Sequence, residues 1–359
     1  MKPVPRLSLP AEEATFRAFD TIIDTRSPAE FAEDHIPGAI SCPVLDNEER
    51  ARVGTIYKQV SPFDAKKLGA ALVAKNIALH LEKLFMEKPR TWKPLVYCWR
   101  GGKRSGAMAH VLREIGWEAR SLEGGYKAYR RYVVERLSTV PLALRFRVIH
   151  GVTGSGKSRL LRALQAAGAQ VLDLEDLAAH RGSVLGTLPE RPQPSQKMFE
   201  SLLLRKILSF DNQKEVYVEG ESRKIGQLQV PAALIERMRA SECLLLQTGI
   251  DTRVALLLDE YRHFFADPAA LGLQLDCLIG LHGREKIGEW KTLAAAGEWP
   301  SLVARLLEDH YDAAYRRSAA HNFPRLAGAR AFALDSAEQS AFDRLAREIA
   351  PSRQETVAA

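Results

Sequence analysis

The chain has 359 residues, of which 46% are hydrophobic and 26% charged, with a formal net charge of +7. That length holds two or three domains with full cores, and the composition excludes a fibrous or largely disordered chain. No uninterrupted apolar run approaches 18 residues, which excludes a membrane-spanning helix, and the positive balance suits an anionic partner as well as it suits a plain soluble basic protein.

In chain order, Thr21-Ile22-Ile23-Asp24 predicts a short strand. Ser27-Pro28-Ala29-Glu30 carries a helix start, with Ser27 as cap, Pro28 in the first turn and Glu30 closing a capping box. Ile36 to Ile40 predicts a turn and then a strand. From Asp64 to Glu87, apolar residues at Leu68, Leu72, Ile77, Leu81 and Leu84 predict one long helical stretch. Pro94-Leu95-Val96-Tyr97 has the composition of a buried strand and delivers Cys98. Ser105 to Ile115 predicts an amphipathic helix, Gly124-Gly125 a turn and Tyr126 to Leu137 another helix.

A boundary is expected over Ser138 to Leu144. Beyond it, Phe146 to His150 starts a second sheet and Ser158 to Ala167 follows as helix. Gln170 to Asp173, Glu215 to Glu219 and Cys243 to Gln247 are further strands. From about Asp251 the pattern is mostly helical, and Pro351 to Ala359 is expected to fray. Strands alternating with helices imply parallel sheets. The opening residues lack the apolar core of a signal peptide, so a cytoplasmic setting is expected.

Two anion-binding loops stand out, each after an apolar strand and before a helix. The first is Cys98-Trp99-Arg100-Gly101-Gly102-Lys103-Arg104-Ser105. A cysteine at a strand end faces backbone N–H groups and a helix N-terminus, which favour the nucleophilic thiolate. Arg100, Lys103 and Arg104 are expected to lower its pKa further, and Gly101 and Gly102 let the amides converge. Cys42, Cys243 and Cys277 read as packing residues; with no CxxC pair, neither a zinc site nor a disulfide framework is signalled.

The second loop, Gly151-Val152-Thr153-Gly154-Ser155-Gly156-Lys157-Ser158, is a full P-loop. Its amides would wrap a di- or triphosphate, Lys157 would meet the outer oxygens, and Ser158 could ligate Mg²⁺. The pattern leaves the phosphate open, with ATP and GTP as the default ligands. Val216-Tyr217-Val218-Glu219-Gly220-Glu221 resembles a Walker B strand; Glu219 or Glu221 could hold a metal-bound water or act as a base, or pair structurally with Arg223. Asp173-Leu174-Glu175-Asp176 and His180-Arg181-Gly182-Ser183 come after the second strand of this half, which starts at Gln170, a usual place for substrate contacts.

Residues 15–135 resemble a rhodanese domain, through Ile23-Asp24-Thr25-Arg26, Glu30-Phe31, His35-Ile36-Pro37-Gly38-Ala39, the Cys98 loop and Glu123-Gly124-Gly125-Tyr126. Rhodaneses carry sulfur or selenium on the loop cysteine. Here the loop is Cys-x5-Arg rather than the common Cys-x-x-Gly-x-Arg, a wider cradle suited to a phosphate-sized group. Joined to the P-loop half, the chain resembles the tRNA 2-selenouridine synthases over nearly its whole length. Further features are Gln193-Pro194-Ser195-Gln196-Lys197, Val218-Glu219-Gly220-Glu221-Ser222 and His310-Tyr311-Asp312.

The resemblance implies an α/β protein, with a rhodanese-like parallel-sheet domain over 1–140 and a P-loop NTPase-like α/β domain over 145–359 whose C-terminal part is mostly helical. It implies S-geranylation of wobble 2-thiouridine from geranyl diphosphate, then replacement of the geranylthio group by selenium from selenophosphate. Cys98, Arg100 and Arg104 would then be catalytic. Gly151, Thr153, Gly154, Ser155, Gly156, Lys157, Ser158, Asp173, His180, Arg181, Glu219 and Glu221 would hold the diphosphate side. No tightly bound cofactor or dedicated metal site is expected beyond Mg²⁺ at Ser158. The expected partners are the tRNA anticodon loop, met by basic side chains such as Arg130-Arg131 and Arg316-Arg317, and an enzyme supplying selenophosphate. The competing readings are a rhodanese-type sulfurtransferase fused to an ATP-dependent kinase or adenylating module, and a non-catalytic scaffold with a nucleotide switch.

Overall fold

The computed structural model describes residues 8–183, 186–188, 190–313 and 323–350; Arg316-Arg317 and the tail 351–359 lie outside the described residues. The chain divides into two units, Met1–Leu137 with Pro194–Arg205, and Ser138–Gln193 with Lys206–Ala359. The segment Pro194–Arg205 therefore groups with the first half rather than the second. The Ser195 hydroxyl donates to the Glu33 carbonyl, Lys197 pairs with Glu33, and Arg130 pairs with Glu200.

The first unit is built on a parallel sheet in the order β1 (Ser8–Leu9), β5 (Arg120–Leu122), β4 (Pro94–Tyr97), β2 (Thr21–Asp24), β3 (Ile40–Ser41). All four residues of β4 are buried, as a strand covered on both faces requires. Ile23 and Val96 of the sheet pack with Met108 and Leu112 of the helix Lys103–Ile115 and with Phe85 and Trp92. The helix Pro28–Glu33 starts as its sequence predicts, the Glu30 carboxylate accepting from the Ser27 amide at 3.1 Å.

Two features depart from the sequence reading. A helix over Asn47–Gln59, capped by Asp46, buries none of its residues, so it offered no apolar periodicity to detect. The long helix runs as an α-helix only over Pro62–His80, and Leu81–Phe85 forms a π-helical turn. Such a turn takes up an extra residue and rotates the following face. Phe85 is thereby buried in the core while Leu84 is left exposed.

The second unit has a parallel sheet in the order β12 (Arg330–Leu334), β11 (Glu242–Thr248), β6 (Arg145–His150), β8 (Glu215–Glu219), β7 (Gln170–Leu172), and a separate antiparallel pair, β9 (Lys224–Ile225) and β10 (Leu228–Gln229). Ile149, Leu161, Leu164 and Leu246 form its core with Phe342 and Leu345 of the helix Gln339–Ile349. The strand β12 lies in a stretch whose pattern reads as helical; it is a five-residue edge strand, too short to mark a period of its own. The helices between are centred on a separate core that includes Leu275, Ile287, Trp290, Leu302 and Leu306. In this order β6 sits between β8 and β11, so the chain leaves β6 at the point where the connections diverge. That point opens a crevice at the C-terminal strand ends, and the P-loop falls there.

Candidate functional sites

The Cys98 loop links β4 to the helix at Lys103. Cys98 is buried, and its Sγ accepts from the Gly102 amide at 3.3 Å and from the Ser105 hydroxyl at 3.2 Å. Gly101 has φ +65°, and a Cβ there would stand 2.4 Å from the Leu122 carbonyl oxygen, so no other residue fits this turn. Burial alone would raise the thiol's pKa. The Ser105 hydroxyl and the amides of Ser105, Gly102 and Arg100 together outweigh it, and the thiol is lowered.

The expected role of the basic side chains is corrected here. Arg100 and Lys103 are exposed, and Arg104 donates to the Glu30 carboxylate at 2.9 Å, which Arg50 also meets at 3.0 Å. The loop acidifies its cysteine with a hydroxyl and amides rather than with guanidinium charge. Ser105, absent from the expected catalytic set, is the side chain that touches the sulfur. Its signal in the sequence is its place in the first turn of the helix, where it faces back into the loop.

Behind the loop, Trp99 stacks on Tyr126 at 5.3 Å, the Arg26 guanidinium lies 4.0 Å from the Tyr126 ring centre, and the Tyr126 hydroxyl donates to Asp34. The Tyr126 amide donates to the Cys98 carbonyl at 2.8 Å, so this buried polar layer holds the loop from below. Cys42 is buried, and burial with nearby Asp24 pushes its thiol up to about 12, which suits a packing role. Cys243 is buried as well, whereas Cys277 is exposed and is not a packing residue. Of the first arginine pair expected to meet tRNA, Arg130 is half-buried and paired with Glu200, and Arg131 is exposed.

In the second unit the P-loop lines a cavity of about 950 Å³. Gly154 and Gly156 take φ of +76° and +89°, the left-handed values that curl the loop, and Lys157 opens the following helix, Lys157–Ala166. The Lys157 ammonium donates to the Gly151 carbonyl at 3.0 Å, and the Ser158 hydroxyl to Glu175 at 3.0 Å. The loop is tied down from outside. Thr248 donates to the Ser155 carbonyl at 2.9 Å, and buried Arg253 donates to the Thr153 carbonyl at 2.9 Å while forking onto both oxygens of Asp312. Arg253 was not legible as a site residue, because nothing near it in sequence marks it.

All twelve residues expected on the diphosphate side except Glu219 line this cavity. Glu219 is buried beneath it, accepting from the Leu174 and Glu175 amides at 2.6 and 2.8 Å. Arg223 is exposed, whereas Glu219 is buried. Asp173, Glu175, Glu219 and Glu221 are raised chiefly by burial, with Asp176 adding to Asp173 and neighbouring carboxylates adding to the other three; Glu175 is pushed up to about 8. His180 accepts from the Gly182 amide at 3.1 Å, and Arg181 lies over the Tyr261 ring at 4.6 Å. Among the described residues no group of three or more Asp, Glu, His or Cys side chains is arranged to hold a metal ion. A Mg²⁺ at Ser158 would draw most of its ligands from bound phosphates and water, as that ion commonly does.

Comparison with known proteins follows the same division. Residues 10–132 match the family model of the rhodanese-like domain, and residues 144–270 that of the tRNA 2-selenouridine synthase AAA domain. A tRNA 2-selenouridine synthase of Bdellovibrio bacteriovorus is 37% identical over 252 residues, covering 67% of this chain and 64% of that protein. The Nitrosomonas europaea protein of that name is 36% identical over 255 residues, 69% of this chain and 65% of that one. The Hydrogenovibrio crunogenus protein of that name is 36% identical over 250 residues, 67% of each chain. The chain thus spans just under two thirds of the length of the first two relatives.

Proposed function

The chain belongs to the tRNA 2-selenouridine synthase family, and we propose that it converts 2-thiouridine in tRNA to 2-selenouridine through an S-geranyl intermediate. The P-loop cavity binds geranyl diphosphate. Loop amides and Lys157 stabilise the diphosphate as it leaves, and the thiocarbonyl sulfur of the base attacks the allylic carbon. The Cys98 loop takes selenophosphate, its amides meeting the anionic oxygens, and Cys98 handles the selenium.

One observation carries the first step: the cradle for an anion opens into the same cavity as Leu177, Leu257, Tyr261, Tyr311 and Phe323. A prenyl diphosphate has that pairing of a charged head and an apolar tail. The second step is supported by the lowered Cys98 thiol within a ring of amides.

The test is incubation of the purified chain with tRNA bearing 2-thiouridine and geranyl diphosphate, followed by nucleoside mass spectrometry. The modified nucleoside should gain one geranyl group, and adding selenophosphate should convert it to 2-selenouridine. Steady ATP hydrolysis with no change in the nucleoside would overturn the reading in favour of a kinase or adenylating module.

A further inference from the structure

His150 ends β6 and immediately precedes the P-loop. It is 1% exposed, and among the described residues neither ring nitrogen has a hydrogen-bond partner. Leaving a buried polar atom unpaired is costly, so two on one ring call for an explanation. The ring is fixed from two sides. Phe323 packs against it at 4.3 Å between ring centres, and a Cβ on Gly220 would fall 2.3 Å from its Cε1, so only glycine leaves room for it there. His150, Gly220 and Phe323 all line the P-loop cavity.

We propose that His150 is the proton acceptor for the base that is alkylated in this cavity. The inference rests on the geranyl-transfer reading above. When the sulfur of 2-thiouridine attacks the allylic carbon, a C–S bond forms and the C–O bond breaks, its electron pair leaving with the diphosphate. The base must then lose its N3 proton for the C2–N3 double bond of the product to form. The imidazole of His150, a residue of the cavity lining whose two nitrogens are unpaired among the described residues, receives that proton.

The surroundings suit an acceptor. Burial and the nearby Lys157 charge push His150 down to about 4, so the ring is neutral and its lone pair free at neutral pH. The rival acceptor is Glu175, but its carboxylate already accepts from Ser158.

The test compares the unaltered enzyme with His150→Gln on two acceptor stem-loops, one carrying 2-thiouridine and one carrying its N3-methyl derivative, which has no proton to give. With 2-thiouridine, H150Q should lower kcat for geranyl transfer by about 100-fold or more while KM for geranyl diphosphate stays within about three-fold. With the N3-methyl acceptor the two enzymes should be slow and alike. Equal losses on both acceptors, or a rise in KM with kcat unchanged, would overturn the proposal and make His150 a wall residue. His150→Asn carries the same test if H150Q does not fold; failure of both to fold would assign the ring to packing and also overturn it. Absence of geranyl transfer by the unaltered enzyme would instead sink the underlying functional reading.

Discussion

At the scale of single residues, the reactivity of Cys98 comes from a hydroxyl and a few amides, and that dependence is measurable. Thiolate is the reacting form, so the rate of alkylation by iodoacetamide rises as pH rises through the thiol's pKa. The midpoint for Cys98 should lie below the ordinary thiol value of 9.0, because the Ser105 hydroxyl and loop amides favour the anion. Ser105→Ala removes the largest favourable contact and should move that midpoint upward, slowing alkylation at pH 7; an unmoved profile would assign the acidification to the amides alone. Cys98→Ala should abolish selenouridine while leaving geranylthiouridine in place or in excess, since the two chemistries are assigned to different loops. Equal loss of both products in nucleoside mass spectrometry would count against that division.

At the scale of elements, the P-loop's shape depends on Arg253 in the helix Ile250–Glu260, which joins the Thr153 carbonyl to Asp312. Asp312→Asn leaves a buried guanidinium short of a charge. It should lower unfolding stability by about 2–3 kcal/mol, the scale of a lost hydrogen bond to a charged group, and weaken pyrophosphate binding. A urea midpoint equal to that of the unaltered chain would show that the tether bears nothing. Glu175 gives a pH dependence of known sign. Its pKa in the fold, about 8, lies above the unfolded value, 4.5, so between those values the folded state holds the extra proton and stability falls as pH rises. Glu175→Gln should flatten that decline, raising the thermal midpoint at pH 8 relative to pH 5. Much of this architecture was legible in the sequence because the buried strands β4, β6 and β8 are short apolar runs that deliver recognisable loops. Three kinds of feature were not. The helix Asn47–Gln59 buries nothing, the edge strand β12 is too short to show a period, and the Leu81–Phe85 turn changes the face that a regular helix would present. At the sites, loop residues could be read because their spacing is local. Ser105 reaches the sulfur from seven residues downstream, and Arg253 reaches the P-loop from 100 residues downstream. Contacts made by the fold leave no local pattern.

At the scale of the whole molecule, the excess of 51 Lys and Arg over 44 Asp and Glu gives the +7 charge. Part of the positive side is consumed internally, since Arg26, Arg104, Arg147, Arg159 and Arg253 each face a carboxylate. The exposed cations that remain, Arg100, Lys103 and Arg131 among them, are available to phosphates of a nucleic acid. Each phosphate neutralised steepens the plot of log affinity against log salt by roughly 0.7 in a single-stranded region and up to about 0.9 in duplex. Four such contacts give a slope near −3, so raising salt from about 50 to about 200 mM should weaken tRNA binding roughly fifty-fold or more. An isolated anticodon stem-loop, whose unstacked bases can be splayed and read, should still compete. If affinity barely changed with salt while the stem-loop competed well, recognition would be made by base contacts alone. The net charge would then be an incidental property of the surface, with Arg100 and Lys103 left to the small anions of the Cys98 loop.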